Sequence, residues 1–221
     1  MKRRYARQVA MLAACGIDVP AWQVIEDEQA LPDAAARLQA PLVVKSLAES
    51  AQHKTEQGLV HLRLRDLDEA LAAARDVWSK MPGEPLLLQE MVEDVTEVLL
   101  TVRTDPDFGP IAAIGTGGVA VELLDDVAYL ALPASPDEFR AAIEDLRLHH
   151  LLAGFRGRRP RDVVALTEGA SRLGQFYIDH RNRIDEFEIN PLGVRAVGEG
   201  VVALDVLEVP ASATTAAEPA T

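Results

Sequence analysis

The residues with the clearest capacity for chemistry lie near the carboxyl terminus. Glu186, Glu188 and Asn190 occupy every second position of one segment, and Asp205 follows a short apolar run. Successive side chains of a strand alternate between its faces, so the first three are expected to point the same way. Carboxylate and amide oxygens on neighbouring strands are ligands that Mg²⁺ prefers. A solvated face of an edge strand would have the same spacing, so spacing alone leaves both interpretations open.

Two basic side chains could handle phosphate. Lys45 ends the apolar run that begins at Pro41, where it could reach phosphate oxygens or extend along the surface into water. His53 stands beside Lys54 in a polar loop. An imidazole is a competent nucleophile toward phosphorus, and a neighbouring cation would attract the phosphate. An ordinary loop histidine would look the same, so both interpretations remain open.

A glycine-rich stretch is a further candidate for anion binding. Gly115-Thr-Gly-Gly118 follows a predicted strand, so its backbone N–H groups could surround an anion, or it could be a plain turn. No GK[ST] sequence follows, which excludes a Walker A loop, and the spacing does not fit a dinucleotide-binding fingerprint.

Composition narrows the class of protein. The 221 residues carry a formal net charge of -13, which argues against binding to nucleic acid or to anionic membranes. No apolar run approaches the roughly 20 residues of a membrane span. Arg7 interrupts the apolar stretch before the single cysteine, Cys15, so we predict an amphipathic helix there and no secretory signal. One cysteine permits no intrachain disulfide, and we expect a cytoplasmic protein.

The sequence patterns around these residues predict an α+β fold. Period-two patterns indicate strands, longer periodic stretches indicate helices, and a seam near 89–97 is predicted to separate two lobes. We expect one domain over 1–208 and a disordered tail over 209–221. The predicted helices are 29–38, 66–81 with Asp66 as its N-cap, 136–148 and 162–180. The predicted strands include 22–25, 41–45, 60–64, 85–91, 96–103, 111–114, a pair formed by 119–124 and 127–132, then 183–189, 193–197 and 201–207.

The order of the short motifs resembles one known family. The whole series is similar to the ATP-grasp subunit of NDP-forming acyl-CoA synthetases, the ADP-forming acetate–CoA ligases, which are related to succinyl-CoA synthetase. The resemblance extends over about residues 5–208, and Glu188 stands where the family has Asp. The matching blocks are Lys45, His53-Lys-Thr55, Gly58, Gln89, Glu97, Asp105-Pro-Asp-Phe-Gly-Pro110, Gly115-Thr-Gly-Gly118, Asp126, Gly154-Phe-Arg-Gly157, Glu186-x-Glu-Ile-Asn-Pro191 and Ala203-Leu-Asp205.

The resemblance implies an ATP-grasp fold, in which two α+β lobes hold the nucleotide in a cleft between them. It also implies ATP or ADP and Mg²⁺ as ligands. The implied residues are His53 to accept phosphate, Lys45 and Lys54 beside the phosphates, Gln89, Glu90 and Val92 at an adenine-reading hinge, Glu97 on the ribose hydroxyls, Gly117 and Gly118 at the glycine turn, and Glu188, Asn190 and Asp205 around magnesium.

The implied reaction is acyl-CoA + ADP + Pi to carboxylate + CoA + ATP, with a separate CoA-binding alpha-type subunit that carries the first phosphohistidine. A hetero-oligomer is therefore expected. Two alternatives remain from the sequence. One is another ATP-grasp carboxylate ligase that works without a phosphohistidine, and the other is a non-catalytic, regulatory nucleotide-binding module.

Overall fold

The computed structural model describes residues 1–48, 57–118 and 124–211. The chain divides into two compact units, of which unit 1 is Met1–Gln8 with Pro20–Glu93 and unit 2 is Val9–Val19 with Asp94–Thr221. The loop that contains His53 and Lys54 lies outside the described residues, as does nearly all of the predicted strand 119–124. The predicted hinge over 89–97 remains a prediction.

Unit 1 is built on an antiparallel sheet with the strand order β1-β4-β2-β3. Its helices bury a core of small and branched side chains, among them Val44, Ala74 and Leu88. The predicted N-cap Asp66 is confirmed, because its side chain accepts a 2.9 Å hydrogen bond from the backbone N–H of Glu69. The elements are α1 (Lys2–Ala14), whose first residues belong to this unit, β1 (Trp22–Ile25), α2 (Leu31–Ala35), β2 (Leu42–Ser46), β3 (Val60–Leu64), α3 (Leu67–Lys80) and β4 (Leu86–Glu90).

Unit 2 is built on a larger antiparallel sheet with the strand order β10-β8-β5-β6-β7, and β9 pairs with β8 as well. One face of the sheet packs on helices, and Phe139, Leu173 and Tyr177 are buried there with Phe187 and Ile189. The elements are β5 (Thr96–Asp105), β6 (Gly109–Thr116), β7 (Val127–Ala131), α4 (Pro136–Glu144), α5 (Leu148–Leu152), α6 (Val163–His180), β8 (Ile184–Val194), β9 (Val201–Ala203) and β10 (Val206–Pro210).

The predicted α+β composition is confirmed, but several boundaries were wrong. The predicted break after 189 does not occur, because β8 continues through Pro191 and its buried residues Leu192 and Val194 pair with β9. The predicted helix 136–148 is two helices, because the Asp126 carboxylate accepts hydrogen bonds from the backbone N–H groups at the start of α5.

Two smaller corrections concern the ends of elements. The predicted helix 29–38 is a 3-10 turn, Glu28–Ala30, followed by the short α2. β7 pairs with β6, whereas the predicted pairing of 127–132 with 119–124 involves residues outside the described ranges and stays a prediction. β10 extends to Pro210, two residues into the predicted tail, and residues 212–221 lie outside the description. Within the described ranges, the longest helices are too short or too polar to cross a bilayer.

Candidate functional site

The acidic residues of β8 lie on one face of the strand, as their spacing predicts. Phe187 and Ile189 are fully buried in the core of unit 2, whereas Glu188 and Asn190 between and beyond them are only half-buried. β8 therefore has an apolar face that packs on the helices and a polar face that carries the candidate ligands. The predicted common orientation of Glu186, Glu188 and Asn190 agrees with this pattern.

Asp205 lies next to this face, in a connection that adjoins β8. It lies between β9 and β10, and not on a strand as the sequence suggested. Its backbone carbonyl accepts a 3.1 Å hydrogen bond from the N–H of Asn190, and the pairing of Val206 with Ile189 continues the contact. The connection therefore brings Asp205 beside Glu188 and Asn190.

The pKa of Glu188 reflects this crowding. Burial raises it above its ordinary value, and the neighbouring carboxylates of Glu186 and Asp205 raise it further. Hydrogen bonds from Thr101 and Asn190 act in the opposite direction but do not cancel the effect. Negative charge is therefore concentrated at this point of the sheet, and a bound cation would relieve the repulsion.

The donor chemistry fits a hard cation held by mixed ligands. In the part of the chain that the structure describes, no three His, Cys, Asp or Glu side chains are grouped for metal binding. Glu188 and Asp205 supply carboxylates and Asn190 supplies an amide oxygen. Two carboxylates with other oxygen donors are typical of Mg²⁺, which keeps several waters and is completed by substrate phosphates.

The glycine stretch packs against the same face. A Cβ atom on Gly118, whose φ is +69°, would lie 1.8 Å from Glu97 Oε2, and a Cβ on Gly117 would lie 2.4 Å from the carbonyl carbon of Val98. The N–H of Gly118 donates to Asn190 Oδ1 at 3.0 Å, and the N–H of Gly117 donates to the Glu97 carbonyl at 3.0 Å.

These contacts favour the second interpretation of the glycine stretch, a turn, over an anion cradle. Both backbone N–H groups are used inside the protein, so in this structure they do not point at a ligand. The glycines act by allowing close approach. Gly118 brings the Glu97 carboxylate and the Asn190 amide together, which joins the predicted ribose and magnesium residues of unit 2 into one site.

Unit 1 contributes a second group of predicted residues. Lys45 and Gln89 are 4% and 3% exposed, and the pairs Val43–Gln89 and Lys45–Leu87 put them diagonally on one face of the sheet. This is the face opposite the helix-packed core. The Gln89 amide lies 3.4 Å from the Tyr5 hydroxyl.

The backbone of the predicted hinge is partly occupied by other contacts. The N–H of Glu90 donates to the Ala21 carbonyl, and the N–H of Met91 donates to the Pro41 carbonyl, each at 2.9 Å. The Glu90 carboxylate accepts a 2.8 Å hydrogen bond from the N–H of Gln39. Adenine recognition by this segment would therefore depend on its carbonyl oxygens and on Val92, which follows β4 and is half-buried.

Two residues near the site received no role from the sequence. Thr101 Oγ1 lies 3.4 Å from Glu188 Oε2, and nothing in the spacing of β5 distinguishes it. Asp126 is 7% exposed and accepts hydrogen bonds at 2.8 Å from Thr116 Oγ1 and from the N–H groups of Arg147 and Leu148. Burial alone would raise the pKa of Asp126, but these hydrogen bonds hold it below its ordinary value. Asp126 therefore fixes the end of β6, where the glycine stretch begins.

Comparison with known proteins gives a consistent result. A family model described as an ATP-grasp domain matches residues 4–207. Acetate–CoA ligase [ADP-forming] I of Archaeoglobus fulgidus is 30% identical over 203 residues, which are 89% of this chain but only 30% of that protein. The beta subunit of acetate–CoA ligase [ADP-forming] II of Pyrococcus furiosus is 27% identical over 90% of this chain and 87% of its own length.

Solved structures resemble the fold closely. Acetyl-coenzyme A synthetase 1 of Ca. Korarchaeum cryptofilum, in complex with coenzyme A and Ca-AMPCP, has a TM-score of 0.82 at 26% identity and covers 91% of this chain and 90% of that one. Another structure of that enzyme contains Mg-AMPPCP, with its phosphohistidine segment pointing towards the nucleotide binding site, and has a TM-score of 0.75 at 27% identity, covering 90% and 88%. The chain spans about 30% of the first Archaeoglobus relative but most of the Pyrococcus beta subunit.

Proposed function

Because the chain belongs to the ATP-grasp domain family, we propose that it is the nucleotide-binding, beta-type part of an ADP-forming acyl-CoA synthetase. It would transfer phosphate between a phosphohistidine and ADP or ATP. The observation that carries this proposal is the site in unit 2, where Glu188, Asn190 and Asp205 meet the Glu97–Gly118 contact.

The residues of this site suit the ribose and the phosphates of a nucleotide. Glu97 would accept hydrogen bonds from the ribose hydroxyls, because a carboxylate can accept from two neighbouring hydroxyls. Glu188, Asn190 and Asp205 would hold Mg²⁺, which when bound neutralises charge on the phosphates. Asn190 would be positioned for this by its hydrogen bond from Gly118.

Lys45 would contribute a positive charge to the phosphates, and the segment that includes Gln89, Glu90 and Val92 would contact the adenine. Lys45 is 4% exposed, and a lysine is rarely buried unless its charge is paired, so its position is compatible with a role in pairing with phosphate. These roles come from the family resemblance, and each can be tested by substitution.

His53, with Lys54 beside it, would carry the phosphate. In the forward direction the N–P bond of the phosphohistidine breaks, an oxygen of the ADP β-phosphate forms the new P–O bond, and neutral imidazole leaves. Such transfer depends mainly on alignment and charge neutralisation, which the proposed site supplies. The phosphohistidine segment named for the Korarchaeum enzyme supports a relay of this kind.

A CoA-binding partner follows from the same proposal. The matched region covers 87% of the Pyrococcus beta subunit but only 30% of the Archaeoglobus relative. We propose that an alpha-type subunit or domain binds CoA and the acyl group and delivers the first phosphohistidine. A hetero-oligomer would then be the active form.

Phosphate labelling tests the proposal directly. The chain, purified with its CoA-binding partner, is incubated with γ-labelled ATP and the acid-labile phosphate is measured. We expect labelling of the wild type and of His150→Ala, which alters an exposed helical histidine. We expect none with His53→Ala, although this variant should still bind ADP. Nucleotide binding without any acid-labile label in the wild type would overturn the relay and favour a regulatory module.

A further inference from the structure

The turn Gly154-Phe-Arg-Gly157 has an unusual backbone. Gly154 and Gly157 have φ angles of 98° and 79°, and Arg156 between them has φ 54° and ψ 41°. The left-handed region is unfavourable for any residue with a Cβ atom. Strained positions of this kind cluster at functional sites, but Arg63 and Asp94 also have positive φ. The conformation of Arg156 therefore points to a function only together with its surroundings.

The turn borders an open-sided cavity of about 550 Å³, whose lining residues all belong to unit 2. Glu97 and Gly117 line the cavity together with Phe155, Arg156 and Arg158 from the turn. The two arginines therefore share a cavity with the residue proposed to hold the ribose. Its volume lies within the range that small-molecule sites occupy.

The two arginines of the cavity differ from their neighbours in the chain. Arg159 pairs with Glu199 at 2.9 Å, and Arg161 pairs with Asp94 at 2.7 Å. Among the described residues, neither Arg156 nor Arg158 lies within ion-pair distance of a carboxylate, although the charge of Arg158 adds a smaller effect to that of Arg161 in lowering the pKa of Asp94. Arg156 instead lies over the Phe155 ring, with its guanidinium carbon 5.3 Å from the ring centre. A contact with an aromatic ring does not neutralise the guanidinium charge.

We propose that Arg156 and Arg158 bind the phosphate chain of a nucleoside polyphosphate in this cavity. The inference rests on the proposed nucleotide-binding function and adds the residues that select a di- or triphosphate over a nucleoside. A guanidinium forms two parallel hydrogen bonds to phosphate oxygens, which makes arginine suited to this task. Local positive charge is needed here, because the formal net charge of -13 would otherwise oppose a polyanion.

The first experiment compares ligands that differ only in phosphate. Calorimetry measures ADP, adenosine and tripolyphosphate binding to the wild type, to Arg156→Gln/Arg158→Gln and to the control Arg159→Gln. We expect the double variant to bind ADP and tripolyphosphate at least about tenfold more weakly, with the affinity for adenosine unchanged. Arg159→Gln should match the wild type for all three ligands, because its partner Glu199 lies outside the cavity.

The outcomes separate this inference from the proposed function. Unchanged ADP and tripolyphosphate affinity in the double variant would overturn the inference, and so would an equal loss of adenosine binding, which would indicate a structural role. A third outcome is that tripolyphosphate binds and needs the two arginines, while adenosine does not bind at all. That result would support the anion site but refute the nucleotide-binding function.

A second variant distinguishes function from packing. Arg156→Gly removes the left-handed strain, so its Tm should not fall by more than about 2 °C, because relief of strain offsets the greater freedom of glycine in the unfolded chain. Its affinity for ADP should nevertheless fall about tenfold. A large drop in Tm with unchanged ADP affinity would show that Arg156 serves the fold and would overturn the inference.

Discussion

The contact between Gly118 and Glu97 allows a sharp test of the site. Alanine at position 118 would place a Cβ atom 1.8 Å from Glu97 Oε2, which is not a possible separation. Glu97 is exposed, and the colliding oxygen is at the end of its flexible side chain. We therefore expect the carboxylate to swing away while the sheet stays intact.

The cost in stability follows from the backbone alone. Gly118 has φ +69°, and a residue with a Cβ atom in this region costs about 1–2 kcal/mol. For a chain of this size the Tm should fall by about 2–8 °C. Gly109→Ala is the matched control, because Gly109 has φ +75° and, among the described residues, no atom beyond its chain neighbours lies within 4 Å of the position that its Cβ would take. Both variants should lose a similar amount of stability.

Their effects on nucleotide binding should differ. If Glu97 holds the ribose, its displacement removes hydrogen bonds to a charged group worth about 1.5–3 kcal/mol, or roughly 10–150-fold in ADP affinity. Calorimetry at a temperature where both variants are folded should show this loss for Gly118→Ala and none for Gly109→Ala. Equal ADP affinities of the two variants would refute the role assigned to Glu97.

Three acidic residues give further predictions. The pKa of Glu188 is raised above 4.5, so the stability it contributes in the metal-free chain is present below pH 4.5 and is lost as the pH rises through the raised pKa. Glu188→Gln should therefore raise the Tm at pH 7 but weaken magnesium-dependent ADP binding, whereas Asp185→Asn, at an exposed position of the same strand, should do neither. The pKa of Asp126 is lowered below 3.8, so its stabilisation is present above pH 3.8 and disappears as the pH falls through the lowered value. Asp126→Asn should lower the free energy of unfolding at pH 7 by about 1–3 kcal/mol in urea titrations, and a smaller change than Thr116→Val produces would contradict its bridging role. Asp205→Asn should reduce ADP affinity about tenfold in the presence of Mg²⁺ and leave affinity without Mg²⁺ unchanged; the same affinity as the wild type in both conditions would exclude Asp205 as a ligand.

Much of the fold could be predicted because its signals are local. The alternation of Glu186 to Asn190 with Phe187 and Ile189 depends only on the geometry of a strand, and the structure has the same alternation. Asp66 as an N-cap likewise depends on the residues that immediately follow it. Local chemistry is sufficient for both predictions.

Other features could not be predicted because distant residues determine them. The division of the predicted helix after 144 depends on Asp126, about twenty residues earlier in the chain. Its carboxylate accepts hydrogen bonds from the backbone N–H groups at the start of α5. The continuation of β8 through Pro191 depends on pairing with β9. Both are tertiary effects that override local propensity.

The candidate site likewise has features that local sequence predicts and features that distant residues determine. Glu188, Asn190 and Asp205 were candidates for hard-cation ligands by type and spacing, and the structure brings them together, but their role as metal ligands stays a prediction. The sequence left two roles open for Gly117 and Gly118, because glycine permits both an exposed anion-binding turn and a close packing contact. Only the positions of Glu97 and Asn190 show that close packing applies.

The two-sided character of β8 has a consequence for how this chain can vary. Substitutions at 187 and 189 change the core and should alter protein abundance. Substitutions at 188 and 190 change the polar face and should alter ligand binding. A one-residue insertion or deletion within 186–190 would exchange the two sets, burying carboxylates and exposing Phe187. Insertions and deletions in 186–190 should therefore abolish folding, whereas single substitutions should change stability or binding by smaller amounts. Natural variation in this strand should consist of substitutions alone.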